Sequence, residues 1–570
     1  MGKIENLDKR IASAIGNEKA DLVIKNVDIL NVFTNEIEHG DLAITGGYFV
    51  GIGEYSGITE IDATGKTIVP GFIDGHIHLE SSIVTPYQFA QAVLPHGTTA
   101  VVTDPHEIAN VCGTKGIDYI LEATKELPLD VYVMIPSCVP ATPFDESGYT
   151  IDSATVAEYI DKERVLGLAE MMNYPGVFMR DGQVLEKIEA TAAKNKIIDG
   201  HAPGVKAKEL NAYTSAGVYS DHECTNAEEA IEKIKRGQWI MIREGTASKN
   251  LEALLPLCKE PYYSRCLFAT DDKHPGDLAV DGHIDYIIKK AIQNGIKPEI
   301  AYKIGSLNAA TYFRMPNAGA ICPGYHADFV ILNDYNNVDI CAVYKNGIKV
   351  SEVNNGTKWI VDAGNNVSVS DDICDTVHIE EVKASDFAID AEAKVIGLVP
   401  GQILTTDEGS ASCVNTETDI VKLAVVERHH NTGHIGLCYV KGYGIKKGAV
   451  ATSIAHDSHN IICVGTNDED MACAVNSLKR MKGGMVVVSE GKVISELALP
   501  IGGLMCDLPV EEAQAKLDNV KEAAYSLGVA DGIDPFMTLS FSSLAVIPTL
   551  RLTTLGVVDV TKFELLNLLK

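Results

Sequence analysis

Two histidines, His76 and His78, stand at the end of an apolar run in TIVPGFIDGHIHLE. In an extended chain residues i and i+2 face the same side, so both imidazoles can reach one metal ion. Later apolar runs end the same way. Glu170 follows VLGLA, His201 closes NKIIDGH, His222 closes GVYSDH, and Asp271 and Asp272 follow CLFAT. Taken singly, each has an ordinary reading as a helix cap, a turn or a solvated strand end. Taken together, several histidines and two carboxylates at successive strand ends describe a two-metal site.

Such a set needs elements that all end on one side. Eight short apolar segments supply them: TIVPGFIDGHIHLE, GTTAVVTDPHE, DVYVMIPSCV, VLGLAEMMN, NKIIDGHAPG, GVYSDHE, QWIMIREG and RCLFATDD. Helix-containing intervals join them, which specifies a (β/α)8 barrel over residues 70–315, with its chemistry at the C-terminal strand ends. A doubly wound open sheet competes, but it gives no reason for a count of eight. Short strands with Gly-rich turns before residue 70 return after Gly319, so 1–69 with 316–365 is expected to form a small β-sandwich holding the barrel as an insert. Residues 366–570 read as a further C-terminal α/β domain. One of its helices opens at Thr466-Asn467 and acidic 468–470, and closes on Lys479, Arg480, Lys482 and Gly483. The hairpin GMVVVSEGKVISELAL follows, then a second helix from about Pro509 to Leu527.

Bulk properties bound the partners. The 570 residues are 46% hydrophobic and 22% charged, with formal net charge −30, which opposes binding to nucleic acid or anionic membrane. No run is long enough for a membrane span and the first residues carry no apolar signal core, so a cytoplasmic location is expected. The 13 cysteines include no CxxC pair and read as reduced thiols. The base-flipping zinc deaminases need HxE followed by PCxxC; His78 and Glu80 match the first part and nothing matches the second.

PGFIDGHIHLE and GAICPGYHADFVIL resemble the strand-one signature and the sandwich-return segment of the amidohydrolase superfamily. Many two-metal members place a carboxylated lysine at the end of strand four. Here Glu170 stands there, and the nearest lysine, Lys162, precedes the strand. PHEIANVCG, EMMNYPGV, DGHAPG, SDHECT and ATDDKHPGDL, with ERHHNTGHIG and AHDSHN later on, are similar to the bacterial adenine deaminase branch.

The resemblance implies two divalent metal ions per chain, manganese or iron, with zinc compatible. It implies His76, His78, Glu170, His201, His222 and Asp271 as ligands, Glu170 bridging. Metal-activated water would attack C6 of adenine, giving hypoxanthine and ammonia, with Asp271 carrying the proton and Asp272 as the alternative carrier. His106, Glu107, Arg243 and Glu244 are the expected purine contacts, Glu107 also counting among the catalytic acids. His429, His430, His456, Asp457 and His459 could cover the site or bind another metal, with solvated or structural roles favoured. A homo-oligomer is expected. Two other readings remain open at this point: hydrolysis of a cyclic amide or N-acyl substrate, and a non-catalytic scaffold on the same fold.

Overall fold

A computed structural model describes residues 3–246, 248–354, 357–361 and 363–566. The eight expected strands all form: β1 (Phe72–Ile77), β2 (Thr98–Thr103), β3 (Asp130–Ile135), β4 (Val165–Met171), β5 (Ile197–Gly200), β6 (Ser220–Asp221), β7 (Trp239–Arg243) and β8 (Cys266–Ala269). Most of their residues are buried, as parallel strands covered on both faces must be. Helices between them, such as 182–192 and 284–293, present an apolar stripe to the strands.

The ladders do not run unbroken through all eight. β1 to β5 make one parallel sheet, and β6 to β8 a second. Between β8 and β1 the pairing is a single bridge, Ile77 to Asp271, with Asp271 N–H on the His76 carbonyl at 2.8 Å. Between β5 and β6 the described residues show no ladder; the Gly200 N–H donates instead to Ser220 Oγ at 3.0 Å. A Cβ at Gly200 would stand 2.1 Å from the Ser220 carbonyl oxygen, so glycine is what permits this approach.

The two pieces expected to make a β-sandwich are joined in one continuous nine-stranded sheet. Thr67–Pro70 is paired on both edges, parallel to Ala20–Asn31 and antiparallel to Phe329–Asp334. The two distant pieces therefore extend one sheet edge to edge. It curls enough to bring the Phe49 and Phe329 rings to 5.9 Å and to bridge Tyr48 with His326. A shared apolar core thus forms within a single sheet.

Beyond residue 366 an eight-stranded sheet spans residues 393–498, and a three-stranded sheet lies at 550–566. Helix α2 (Asp468–Met481) begins as its sequence specifies: the Asn467 side chain accepts the Asp470 N–H, three acids occupy the first turn, and Lys479 and Arg480 the last. Its left-handed terminal residue is Lys482 (φ 62°), one position before the glycine. Met471, Val475 and Leu478 pack on the strands through Ala424, Ala451 and Cys463. Helix α3 (Val510–Ser526) follows the hairpin.

This region is not loosely tethered. Thr85 N–H donates to the Cys506 carbonyl, Cys506 N–H to that of Ile83, and Thr85 Oγ1 to Asp507 at 2.9 Å. One apolar cluster runs from Ile108 and Val111 into Leu504 and Met505. Among the described residues no helix is long and apolar enough to cross a membrane, and none of the cysteines is disulfide-bonded.

Candidate active site

The strand ends bring all six expected ligands together. His76 and His78 leave the end of β1 with ring centroids 4.9 Å apart. Glu170, on β4, is buried between two histidine sets. Its Oε1 lies 3.4 Å from His78 Nε2 and 3.8 Å from His76 Nε2. Its Oε2 lies 2.7 Å from His201 Nδ1 and 3.2 Å from His222 Nε2. Asp271 Oδ1 closes the first set, 3.2 Å from His78 Nε2 and 3.6 Å from His76 Nε2. Asp271 holds φ at 61°, an unusual conformation for a residue with a side chain, in the same turn that bridges β8 to β1.

These donors fit divalent cations. They are imidazole nitrogens and carboxylate oxygens, mutually within 4.8 Å in overlapping groups that include His76–His78–Asp271 and His76–Glu170–His222. His76 Nε2 is buried and has no hydrogen-bond partner of its own. Burial pushes the Glu170 carboxyl up, but His222, His201 and His78 outweigh it and hold the group well below the usual carboxylate range. Asp271 is likewise raised by burial and lowered further by Arg243, His76 and His78. Both carboxylates are kept ionised, as ligands must be.

Around this cluster the other expected residues divide. His106, opening helix α1 (His106–Cys112), places Nδ1 3.2 Å from Asp104 and 3.6 Å from Glu170 Oε1. Glu107 Oε1 lies 3.3 Å from Ser81 Oγ and 3.3 Å from His456 Nδ1. Ser81 also donates to Asp272 Oδ1 at 2.5 Å. Burial, then the charges of Asp272 and Glu80, pushes the Glu107 carboxyl well up. Arg243 is buried and committed to two carboxylates. Its Nη1 pairs with Asp271 Oδ2 at 2.6 Å and with Glu223 at 2.5 Å, and Nη2 reaches Glu223 at 3.0 Å. Glu244 is turned elsewhere, Oε1 on Lys290 at 2.7 Å and Oε2 accepting the Leu251 N–H at 3.2 Å. Both of its oxygens are engaged, so the expected purine contact from Glu244 is not what the structure presents.

Four residues were not anticipated: Glu80, Ser81, Asp104 and Glu223. Asp104 and Glu223 sit at strand ends, where the rule that found Glu170 applies equally. Glu80 and Ser81 lie in a short 3-10 turn, Leu79–Ser82, which carries no periodic signal. Of the C-terminal histidines, His456 reaches Glu107, and its neighbour Asp457 comes within 3.8 Å of His106 Nε2. His429 is spent on the Ser458 carbonyl, and the exposed His430 on that of Ser147.

A family model described as the amidohydrolase family matches residues 67–350, and one described as the adenine deaminase C-terminal domain matches 402–564. Adenine deaminase 2 of Carboxydothermus hydrogenoformans is 46% identical over 97% of this chain and 97% of its own length. The adenine deaminase of Clostridium acetobutylicum is 44% identical over 98% of this chain and 100% of its own. A solved β-aspartyl dipeptidase from Fervidobacterium islandicum AW-1 aligns with 61% of this chain and 99% of its own at TM-score 0.45 and 16% identity, too distant to bear on chemistry.

Proposed function

The chain belongs to the amidohydrolase family and within it to the adenine deaminases, and from that premise we propose how its own residues turn adenine and water into hypoxanthine and ammonia. The observation that carries the reading is the division of Glu170, one oxygen toward His76 and His78 and the other toward His201 and His222. A carboxylate so placed is suited to bridge two cations. Two divalent ions held by His76, His78, Glu170, His201, His222 and Asp271 would supply the Lewis acidity that makes water a nucleophile near neutral pH. Imidazole and carboxylate donors without thiolate suit manganese, iron or zinc.

Asp271 takes the proton from the attacking water and returns it to the amino group leaving C6. One C–O bond forms, one C–N bond breaks, and ammonia departs. Arg243 fixes Asp271 Oδ2, leaving Oδ1 toward the ligand cluster. That makes Arg243 a positioning residue rather than a purine contact. His106, beside Glu170, supplies the proton that ring N1 gains as C6 becomes tetrahedral, and it regains one from the C6 hydroxyl, the second proton of the water, as that group becomes the carbonyl. Burial lowers its basicity, but the neighbouring Asp104 carboxylate outweighs that and holds it well above the usual imidazole range. The two parallel sheets act as one eight-stranded barrel whose ladders lapse at two seams, so that every one of these groups converges on a single end.

Ammonia release from metal-loaded full-length chain tests the reading, with adenine, hydantoin and N-acyl amino acids as substrates. Release from adenine alone is expected. Turnover of a cyclic amide or N-acyl substrate, with none of adenine, would replace it.

A further inference from the structure

One cluster of ligand-type side chains is not used by the reaction. Glu107 opens helix α1, while His456 and His459 come from the loop after the C-terminal strand Ala449–Thr452. One donor atom from each lies within 4.8 Å of the others. Glu107 Oε1 and His456 Nδ1 are 3.3 Å apart. Two donors on a common ion at about 2.0–2.2 Å stand roughly 3–3.6 Å from each other, so this spacing suits shared ligation.

Two further observations point the same way. His459 is fully buried, and neither ring nitrogen has a hydrogen-bond partner. A buried imidazole left unpaired on both nitrogens is costly, and native structures rarely tolerate one without an ion or a ligand. His76 Nε2, in the catalytic cluster, shows the same condition. The nearby positive charge comes from His78 and His106, which belong to the first cluster, and it does not offset the burial of the carboxyls here. Glu80, Glu107 and Asp272 are packed close enough for their charges to oppose one another, and Glu80 Oε2 is buried without a partner. Among the described residues no lysine or arginine forms an ion pair with any of the three; the only ion-pair partner among them is His456, on Glu107. Buried carboxylates without a cation are expensive, and a bound dication removes that cost.

We propose that Glu107, His456 and His459 hold a further divalent metal ion, separate from the pair on Glu170, which ties the C-terminal region to the first turn of α1. Two imidazoles and a carboxylate, without thiolate, take a transition-metal dication of the zinc, manganese or ferrous class and leave a coordination position for water or another oxygen donor. The ion assigns Glu107 to ligation rather than to proton transfer. It also gives the unpaired ring of His459 a partner, which His429 and His430 already have in the carbonyls of Ser458 and Ser147.

The test counts metal in the full-length protein. Apoprotein is titrated with Co(II), following the visible absorption, and metal content is measured after desalting for the parent, His459→Ala, His456→Ala, His201→Ala and the His201→Ala/His459→Ala double variant. The His459 and His456 variants should each saturate one ion earlier than the parent, and the double variant should lose more than either parent single variant. Equal saturation of parent and His459→Ala overturns the proposal, as does a higher KM for adenine in His459→Ala at unchanged metal content, which would make the cluster a substrate subsite. Should the His459 variants fail to fold, the parent decides, since saturation at two ions leaves none for this site. Loss confined to His201→Ala would uphold the Glu170 pair and sink this one, so the two readings fail separately.

Discussion

The ends of the eight parallel strands and the C-terminal loop at residues 453–460 supply the same residue types, yet only the first announced its geometry. At a strand end, position gives direction. His76 and His78, two apart, had to face one way, and Glu170, at the same level on β4, had to meet them. A loop has no such period. His456 and His459 are three apart and both come close to Glu107, whereas His429 and His430, just beyond the strand Ile420–Val426, bond carbonyls of Ser458 and Ser147. Ligand chemistry is therefore readable where backbone periodicity fixes side-chain direction, and hidden where tertiary packing does.

The sharpest way to break that contrast is to remove the centre of the legible half. Glu170→Gln should lose most of its activity, by more than the 10²–10⁴-fold typical of a proton carrier, together with part of its metal. A neutral amide bridges two cations poorly, and the four histidines around it would lose their shared counter-charge. Metal content and turnover measured on the same preparation decide the matter. Near-normal values of both would show that the two histidine sets do not depend on Glu170.

Next in size is the choice between two adjacent acids, which the sequence left open. Asp271 faces His76, His78 and Arg243, while Asp272 receives the Ser81 hydroxyl. Asp271→Asn should lower kcat by about 10²–10⁴ while the barrel stays folded and much of the metal remains. Asp272→Asn should cost far less. A larger kcat defect in the Asp272 variant, at equal metal loading, would reverse the assignment.

Much of the fold was readable for the same reason as the ligands. Eight apolar runs, their order and the capping residues of α2 are local signals, and local signals were enough. Edge pairing is not local. Nothing in Thr67–Pro70 says that its second edge will be taken by Phe329–Asp334, about 260 positions later, so the continuity of the sheet through this strand is not readable from the sequence. Ser81 was missed because a 3-10 turn has no apolar period to read. Asp104 and Glu223 obeyed the strand-end rule and were overlooked beside stronger neighbours. Arg243 and Glu244 show the limit from the other side. Adjacent at one strand end, they point apart, Arg243 to Asp271 and Glu244 to Lys290.

That divergence yields a smaller effect. Glu244→Gln removes a buried ion pair with Lys290 but retains an acceptor for the Leu251 N–H. It should cost about 1–3 kcal/mol of stability, seen as a lower melting temperature, and leave KM for adenine within about twofold. A large rise in KM at unchanged melting temperature would return Glu244 to the purine site.

The smallest effect concerns the loop by which the parallel-strand region meets the C-terminal region, residues 142–149. Glu146 accepts from Thr554 and faces His434, while its carbonyl accepts from Asn460. Next to it, burial and then the Asp457 charge, opposed by hydrogen bonds from Thr142, push the Asp145 carboxyl up to about 7 from its ordinary 3.8. The folded chain therefore holds this proton more tightly than the unfolded chain does. The associated stability is fully present below about pH 4 and is lost as pH rises through about 7. Asp145 is partly exposed, so water screens some of the shift, and an effect on the order of 1–2 kcal/mol is expected. Asp145→Asn keeps an acceptor for Thr142 and cannot ionise. Its melting temperature should match the parent below about pH 4 and exceed it by a few degrees at pH 8. A variant less stable than the parent at pH 8 would mean that Asp145 is ionised and paired at the seam, and that the loop is held by charge rather than by packing.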